Sequence, residues 1–218
     1  SSDVCSSDLI KSIAGVTDRE FRNIADDIKA VSQKEFAVLE DGVKEKMINE
    51  ITAAKADGDS VGGVLETAVV GLPAGIGEPW FGGVENVLSS ALFAVPAVKG
   101  VEFGAGFALA NMRGSAANDE FFCADSKIAT ATNNNGGING GITNGMPIIF
   151  RCAVKPTPTI HKEQNTVDFI KNENVKITAG GRHDPCIVHR ARVVIDSITA
   201  IALCDMLAGR FGTDWLGE

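Results

Sequence analysis

The stretch Thr132–Thr159, TNNNGGINGGITNGMPIIFRCAVKPTPT, limits the folds open to this chain more than any other. Asn-Gly steps at Asn135-Gly136, Asn139-Gly140 and Asn144-Gly145 let the backbone reach positive φ repeatedly with little strain. Two-residue hairpins cannot be stacked so closely, so most of these steps serve something other than simple hairpin turns. A backbone bent this way gathers successive N–H groups into a concavity that suits phosphate or carboxylate oxygens. Directly behind it, Ile148–Val154 is apolar enough for a buried strand. That strand delivers Lys155 and then the stiff run Pro156-Thr157-Pro158-Thr159, with two hydroxyls beside one cation. Composition alone reads the Gly-rich half as a surface linker; the apolar strand behind it favours an anion site.

A chain of 218 residues makes one generous domain or two small ones, with a real core. Hydrophobic residues at 44% and charged residues at 22% fit a soluble globular protein, and no apolar run is long enough to cross a membrane. A net charge of −8 argues against a nucleic-acid partner. Cys5, Cys123, Cys152, Cys186 and Cys204 form no C-x-x-C pair, so reduced thiols are expected. His183 and Cys186 lack a second ligand pair, and no metal site is expected.

Ser1–Leu9, SSDVCSSDL, has neither helical nor strand periodicity and does not match a signal peptide. It does match one reading frame of a common sequencing adapter. The expectation is a non-native segment over 1–9 that stays off the core, with the native chain running from about Ile10.

From there the pattern predicts a short strand over Ile10–Val16. A capping box at Thr17-Asp18-Arg19-Glu20 then opens a helix with Phe21, Ile24, Ala25 and Ile28 inward. A second helix covers Val38–Ala56, with Val43, Met47, Ile51 and Ala54 inward. Ser60–Leu72 reads as a strand, and Pro73–Pro79 as a rigid turn. Val84–Val95 has an apolar helical face stopped by Pro96, and Val98–Phe103 returns as a strand. Arg113–Glu120 is a polar loop. Short strands are expected near Lys127–Ala131, Gln164–Ile170 and Val175–Thr178. A last helix over Arg190–Ala208 has Val194, Ile198, Ile201 and Ala202 on one face. Irregular alternation with hairpin-like strand pairs favours α+β, helices packed with antiparallel sheet.

A second informative segment is Gly180-Gly181-Arg182-His183-Asp184-Pro185-Cys186. The glycines allow a sharp bend, and Pro185 keeps Asp184 out of the α region. Arg182 suits bidentate recognition of a carboxylate or phosphate, and Asp184 suits acid/base work with His183 orienting it. An Arg182–Asp184 pair capping the last helix is the structural alternative. Cys186 as a nucleophile has no base singled out by spacing.

Taken in order, PAGIGEP, VPAVKGVEFG, RGSAANDE, TNNNGGINGGITNG, FRCAVKPTPTI and GRHDPC resemble the chorismate synthase family. The resemblance runs from about Ser60 to the last helix. It implies a cytoplasmic homotetrameric lyase of aromatic amino acid biosynthesis. The implied reaction removes phosphate and a proton from 5-enolpyruvylshikimate 3-phosphate, giving chorismate, and needs reduced FMN without net redox change. It also implies FMN contacts at Pro96, Ala97, Gly140, Lys155, Pro156, Thr157, Pro158, Thr159 and Arg182, with Asp184 as the acid/base group. NADPH at the same enzyme, or a separate protein, would reduce the flavin; the sequence leaves both open.

Asn135, His189, Arg192 and Asp196 depart from the residues usual in the family. The family's N-terminal GESHG and GRSSARET-like segments, with two histidines and several substrate arginines, do not occur. Residues 10–218 are therefore expected to be the C-terminal portion of a chorismate synthase domain, inactive alone. The alternative reading is a non-catalytic flavin- or anion-binding module.

Overall fold

Alternation of inward apolar residues on β-branched stretches builds the centre of this molecule. The computed structural model describes residues 4–124 and 126–212. In chain order these form β1 (Cys5–Ile13), β2 (Val16–Thr17), α1 (Ile24–Ser32), α2 (Asp41–Ala56), β3 (Gly63–Val70), α3 (Val84–Phe93) and β4 (Val98–Phe103). There follow α4 (Gly114–Ala117), β5 (Phe121–Ala124), β6 (Lys127–Thr130), β7 (Ile138–Asn139), β8 (Ile142–Thr143), β9 (Ile148–Val154), β10 (Gln164–Asp168), β11 (Glu173–Ile177) and α5 (Val188–Phe211).

One sheet runs β2-β1-β3-β9-β4, every neighbour antiparallel. The pairs β5–β6, β7–β8 and β10–β11 stand as separate two-stranded ribbons. The architecture is the α+β mixture of helices and antiparallel sheet that the sequence implies. On β9, Ile148, Phe150, Cys152 and Val154 are buried at alternate positions, opposite Val69, Thr67, Leu65 and Gly63 of β3. α5 lies against β1, β3 and α3, and α3 lies against β4, so the core sits between this sheet face and the two helices.

The expectation that Ser1–Leu9 stays off the core is corrected. Cys5–Leu9 form the first half of β1, in register with Glu66–Val70 of β3. Leu9 is fully buried with Val31 and Ala37 beneath α1, and Ser7 and Asp8 are buried as well. Backbone pairing along β3 recruits a polar segment that side-chain periodicity does not mark, and polar partners meet Ser6 and Asp8. Ser6 Oγ donates 2.6 Å to Asp196 on α5. Ser1–Asp3 lie outside the described residues.

The capping box does not form either. Thr17 belongs to β2, and the Asp18 carboxylate instead accepts from the amides of Arg19, Leu39 and Glu40 at 2.9, 2.5 and 3.3 Å. Helix α1 begins later, at Ile24, and Asp27 in its first turn ties back to Arg19 and the Arg22 amide. α5 is turned relative to expectation: Ile195, Thr199, Ala202 and Leu203 face inward, whereas Val194 and Ile201 are exposed. Thr199 is acceptable inside because its hydroxyl donates 2.7 Å to the Ile195 carbonyl, which a count of apolar residues overlooks.

Candidate functional site

Strand β9 ends at Val154 and hands the chain to Lys155, whose amide donates 2.9 Å to the Ala97 carbonyl. Ala97 has φ +75° in the turn Val95-Pro96-Ala97-Val98, closed by a 3.2 Å bond from the Val98 amide to the Val95 carbonyl. Proline second and a positive φ third make a type II turn, in which glycine usually holds the Ala97 position. Pro96 and Ala97 therefore sit against Lys155. Gly62 lets β3 approach from the other side: a Cβ there would lie 2.4 Å from the Val154 carbonyl oxygen and 2.9 Å from Pro156 Cδ.

Thr157 is held through its carbonyl, which accepts 2.6 Å from Ser60 Oγ, while its own hydroxyl is buried without a partner. The Pro158 carbonyl accepts from Gln164. Thr159 lines a cavity of about 200 Å³ together with Lys55, Asp59, Arg182, His183 and Asp184. The Val61 amide donates 2.8 Å to the Pro185 carbonyl, which seats the 180–185 bend against the start of β3. His161 and His183 face each other with ring centroids 5.3 Å apart. Their outer nitrogens are anchored on the Ala179 and Gly180 carbonyls at 3.1 and 2.9 Å. Pro96, Ala97, Lys155–Thr159, Arg182 and Asp184 are thus joined by one continuous set of contacts.

The Lys155 and Arg182 side chains make no ion pair among the described residues, so both cations are available to an anion. The Arg182–Asp184 pair is not formed. Asp184 pairs with Arg190, in the first turn of α5. Burial pushes the Cys186 thiol up and the residue is 1% exposed, which makes it a packing residue rather than a nucleophile. No group of three or more His, Cys, Asp or Glu side chains among the described residues could hold a metal.

Gly140 is not brought to this cluster. It sits in the β7–β8 turn with φ +60°, exposed, with nothing near where a Cβ would be. The Gly141 carbonyl accepts from Val84 at the start of α3, and Thr143 bonds to the Ile76 amide and the Pro73 carbonyl. These neighbours lie at the Ile148 end of β9, and Lys155 follows its other end, seven residues or ~24 Å along the strand. Only one of the three Asn-Gly steps lies in a hairpin of this loop. The Asn133–Asn135 segment is instead pinned by Asp119, whose carboxylate accepts from Thr132 Oγ1 and from the amides of Asn134 and Asn135 at 2.6, 2.7 and 2.8 Å.

A larger cavity, about 660 Å³, opens on the other sheet face beside Glu66, Glu102 and Arg151. Its guanidinium is already held by both carboxylates, so it offers an anion no free cation. Residues that sequence reasoning passes over include Asp57, Asp59, Ser60, His161 and Lys162. The Asp-Gly-Asp run there signals a helix end, and nothing local signals that it faces the site.

No helix among the described residues is long and apolar enough to cross a membrane. The chorismate synthase family model matches residues 4–208. Chorismate synthase of Thermococcus gammatolerans is 49% identical over 166 residues, covering 76% of this chain and 47% of its own length. That of Methanobrevibacter smithii is 54% identical over 71% of this chain and 43% of its own. A relative from Chitinophaga pinensis is 46% identical over 89% of this chain and 56% of its own. A crystal structure of chorismate synthase superposes with a TM-score of 0.78 at 28% identity, over 96% of this chain and 58% of that one. The chain spans about half the length of the curated relatives it matches, and it belongs to the chorismate synthase family.

Proposed function

We propose that this chain is the flavin-binding part of a chorismate synthase that eliminates phosphate from 5-enolpyruvylshikimate 3-phosphate. The observation that carries the reading is the single contact set joining Pro96-Ala97, Lys155–Thr159 and Arg182–Asp184, with two unpaired cations and a buried hydroxyl lacking a partner. A flavin mononucleotide fits this donor set: its phosphate takes a cation, and its polar ring edge takes hydroxyl and amide donors.

Reduced FMN, when bound, supplies the electron density that lets phosphate leave. Lys155 and Arg182 bind and orient anionic groups, Arg182 with two parallel N–H donors. Thr157 Oγ1 donates or accepts where it is now unpartnered, which orients the ligand. Asp184 holds or takes a proton at its carboxylate, and Arg190 fixes that carboxylate in place. His183, with Nε2 on the Gly180 carbonyl, stiffens the bend that carries both Arg182 and Asp184.

By the same reading the whole protein is a cytoplasmic homotetramer, its flavin reduced by NADPH or by another protein. This chain carries the flavin wall and turns over nothing alone; by itself it is a flavin- or anion-binding module. Titrating the purified chain with FMN, followed by flavin fluorescence, tests this. Saturable binding lost in both Lys155→Ala and Arg182→Ala is expected. Failure of the folded chain to bind FMN refutes the flavin assignment, and saturable conversion of the enolpyruvyl substrate by the chain alone refutes the division of labour.

A further inference from the structure

The turn between α2 and β3, Asp57–Val61, touches both halves of the site. The Gly58 carbonyl accepts from the amides of His161 and Lys162 at 2.9 and 3.3 Å. Ser60 Oγ donates to the Thr157 carbonyl at 2.6 Å, and the Val61 amide donates to the Pro185 carbonyl at 2.8 Å. Lys162 Nζ bridges the carboxylates of Asp57 and Asp59. The hydrogen bonds it donates to Asp57 and then Asp59 raise the Lys162 ammonium above its ordinary value, while Lys162 and the Ser60 amide lower Asp59. Gly58 takes φ +68°, where a side chain is strained, and a Cβ there would also come within 3.2 Å of His161 Cβ.

No other element among the described residues bonds in this way to both the 155–162 segment and the 182–185 bend. Each is a proline-stiffened loop whose separation from the other is set by what lies between them. Ser60 is the point of greatest leverage. It holds Thr157 by the carbonyl alone and leaves the Thr157 hydroxyl free for a ligand.

We propose that the Asp57–Val61 turn is a positioning element for the flavin site, with Ser60 and Lys162 as positioning residues. They fix the spacing between the Lys155–Thr159 clamp and the Arg182–Asp184 bend. The proposal rests on the flavin reading for the identity of the ligand, but not for the geometry. The ion pairs of Lys162 are exposed and add little to global stability, so their worth lies in register rather than in folding.

The test combines amide hydrogen exchange with FMN titration on the full chain, comparing Ser60→Ala, Ser60→Thr and Lys162→Gln. In Ser60→Ala, exchange rises at His161 and Lys162 and, across the turn, at the 182–184 bend. FMN affinity falls about fivefold, the scale of one ordinary hydrogen bond. Ser60→Thr, which keeps a hydroxyl, restores both readings. Faster exchange confined to 157–162, or FMN affinity unchanged while wild type binds, overturns the proposal. If wild-type chain binds no FMN, the flavin reading fails, and exchange at the two loops alone decides the positioning role. Should Ser60→Ala not fold, Lys162→Gln leaves the core intact and is judged by the same two readings.

Discussion

The hydroxyl of Thr67 donates a 2.5 Å hydrogen bond to Asp8 Oδ1 with both residues buried inside the sheet. The other Asp8 oxygen has no partner. Burial pushes this carboxyl from 3.8 to about 8, against the lowering effect of the Thr67 bond, and Asp196 adds repulsion. Folding thus favours the protonated form of Asp8. Because its folded value lies above its unfolded one, the stability it allows is full below 3.8 and is lost as pH rises to about 8. Asp8→Asn keeps an acceptor for Thr67 and cannot ionise. Its melting temperature should exceed wild type most at the alkaline end, with a flatter slope across that window. Calorimetry of the pair over pH checks this, and parallel slopes count against it.

Leu9→Ala should be costly. Leu9 is fully exposed in any account that leaves 1–9 off the core, but here it is closed in by Val31 and Ala37. A loss of about 2–5 kcal/mol in urea unfolding is expected for a buried leucine. A loss under ~1 kcal/mol would return this segment to the periphery.

Arg151 serves two strands at once. Its Nε meets Glu102 at 2.6 Å, one terminal nitrogen meets Glu66 at 3.3 Å, and the other donates 2.6 Å to the Gly104 carbonyl. Glu66 is 2% exposed, and burial raises its carboxyl. Arg151→Met should destabilise by about 3–5 kcal/mol, since a buried charge is left unpaired. Adding Glu66→Gln should recover part of that loss in chemical unfolding; full additivity of the two changes would contradict the pairing.

Asp119 should lock the Asn-rich loop only above its own titration. Burial alone would raise its carboxyl, but the bonds from Thr132, Asn135 and Asn134 outweigh it and hold the group below the ordinary value. A depressed folded value means the stabilisation is present above the unfolded value and lost as pH falls through the folded one. Protection of the Asn134 and Asn135 amides, taken relative to the intrinsic exchange rate at each pH, should fall in acid, and Asp119→Ala should show the same loss of protection at neutral pH. Exchange that ignores both changes would assign the loop's rigidity elsewhere.

For Asp184, Asn substitution in a chain completed with the family's N-terminal part should lower turnover roughly 10²–10⁴-fold, with FMN affinity little changed. Pairing with Arg190 also allows a purely structural role. That role predicts a lower melting point with turnover intact, and measuring turnover, affinity and melting together separates the two.

Much of this was legible where side-chain period and backbone chemistry agree. β9 spans Ile148–Val154 as its apolar run implies, and Pro96 stops α3 before β4 as proline should. Of the two segments the sequence singles out, the Thr159 end of one lies beside Arg182 and Asp184 of the other. Gly140 does not join them, because a glycine's freedom says where a chain can bend and nothing about which strand end it will occupy. The Ser60–Thr157 bond was invisible, since it joins residues 97 apart and neither carries a local signal. Cys5–Leu9 was misread for the complementary reason: its place in β1 is dictated by β3, not by its own pattern.

The direct pairing of β3 with β9 also has a kinetic side. Glu66 meets Arg151, 85 positions further along, only after the chain between them has been gathered into a loop. Closing a loop of that length delays the event and offers no reward until it is complete. The Asp57–Val61 turn leads into β3 and Lys155–Thr159 leaves β9, so these two segments meet in register only once the strands have paired. The Ser60–Thr157 contact is therefore among the last that folding can complete.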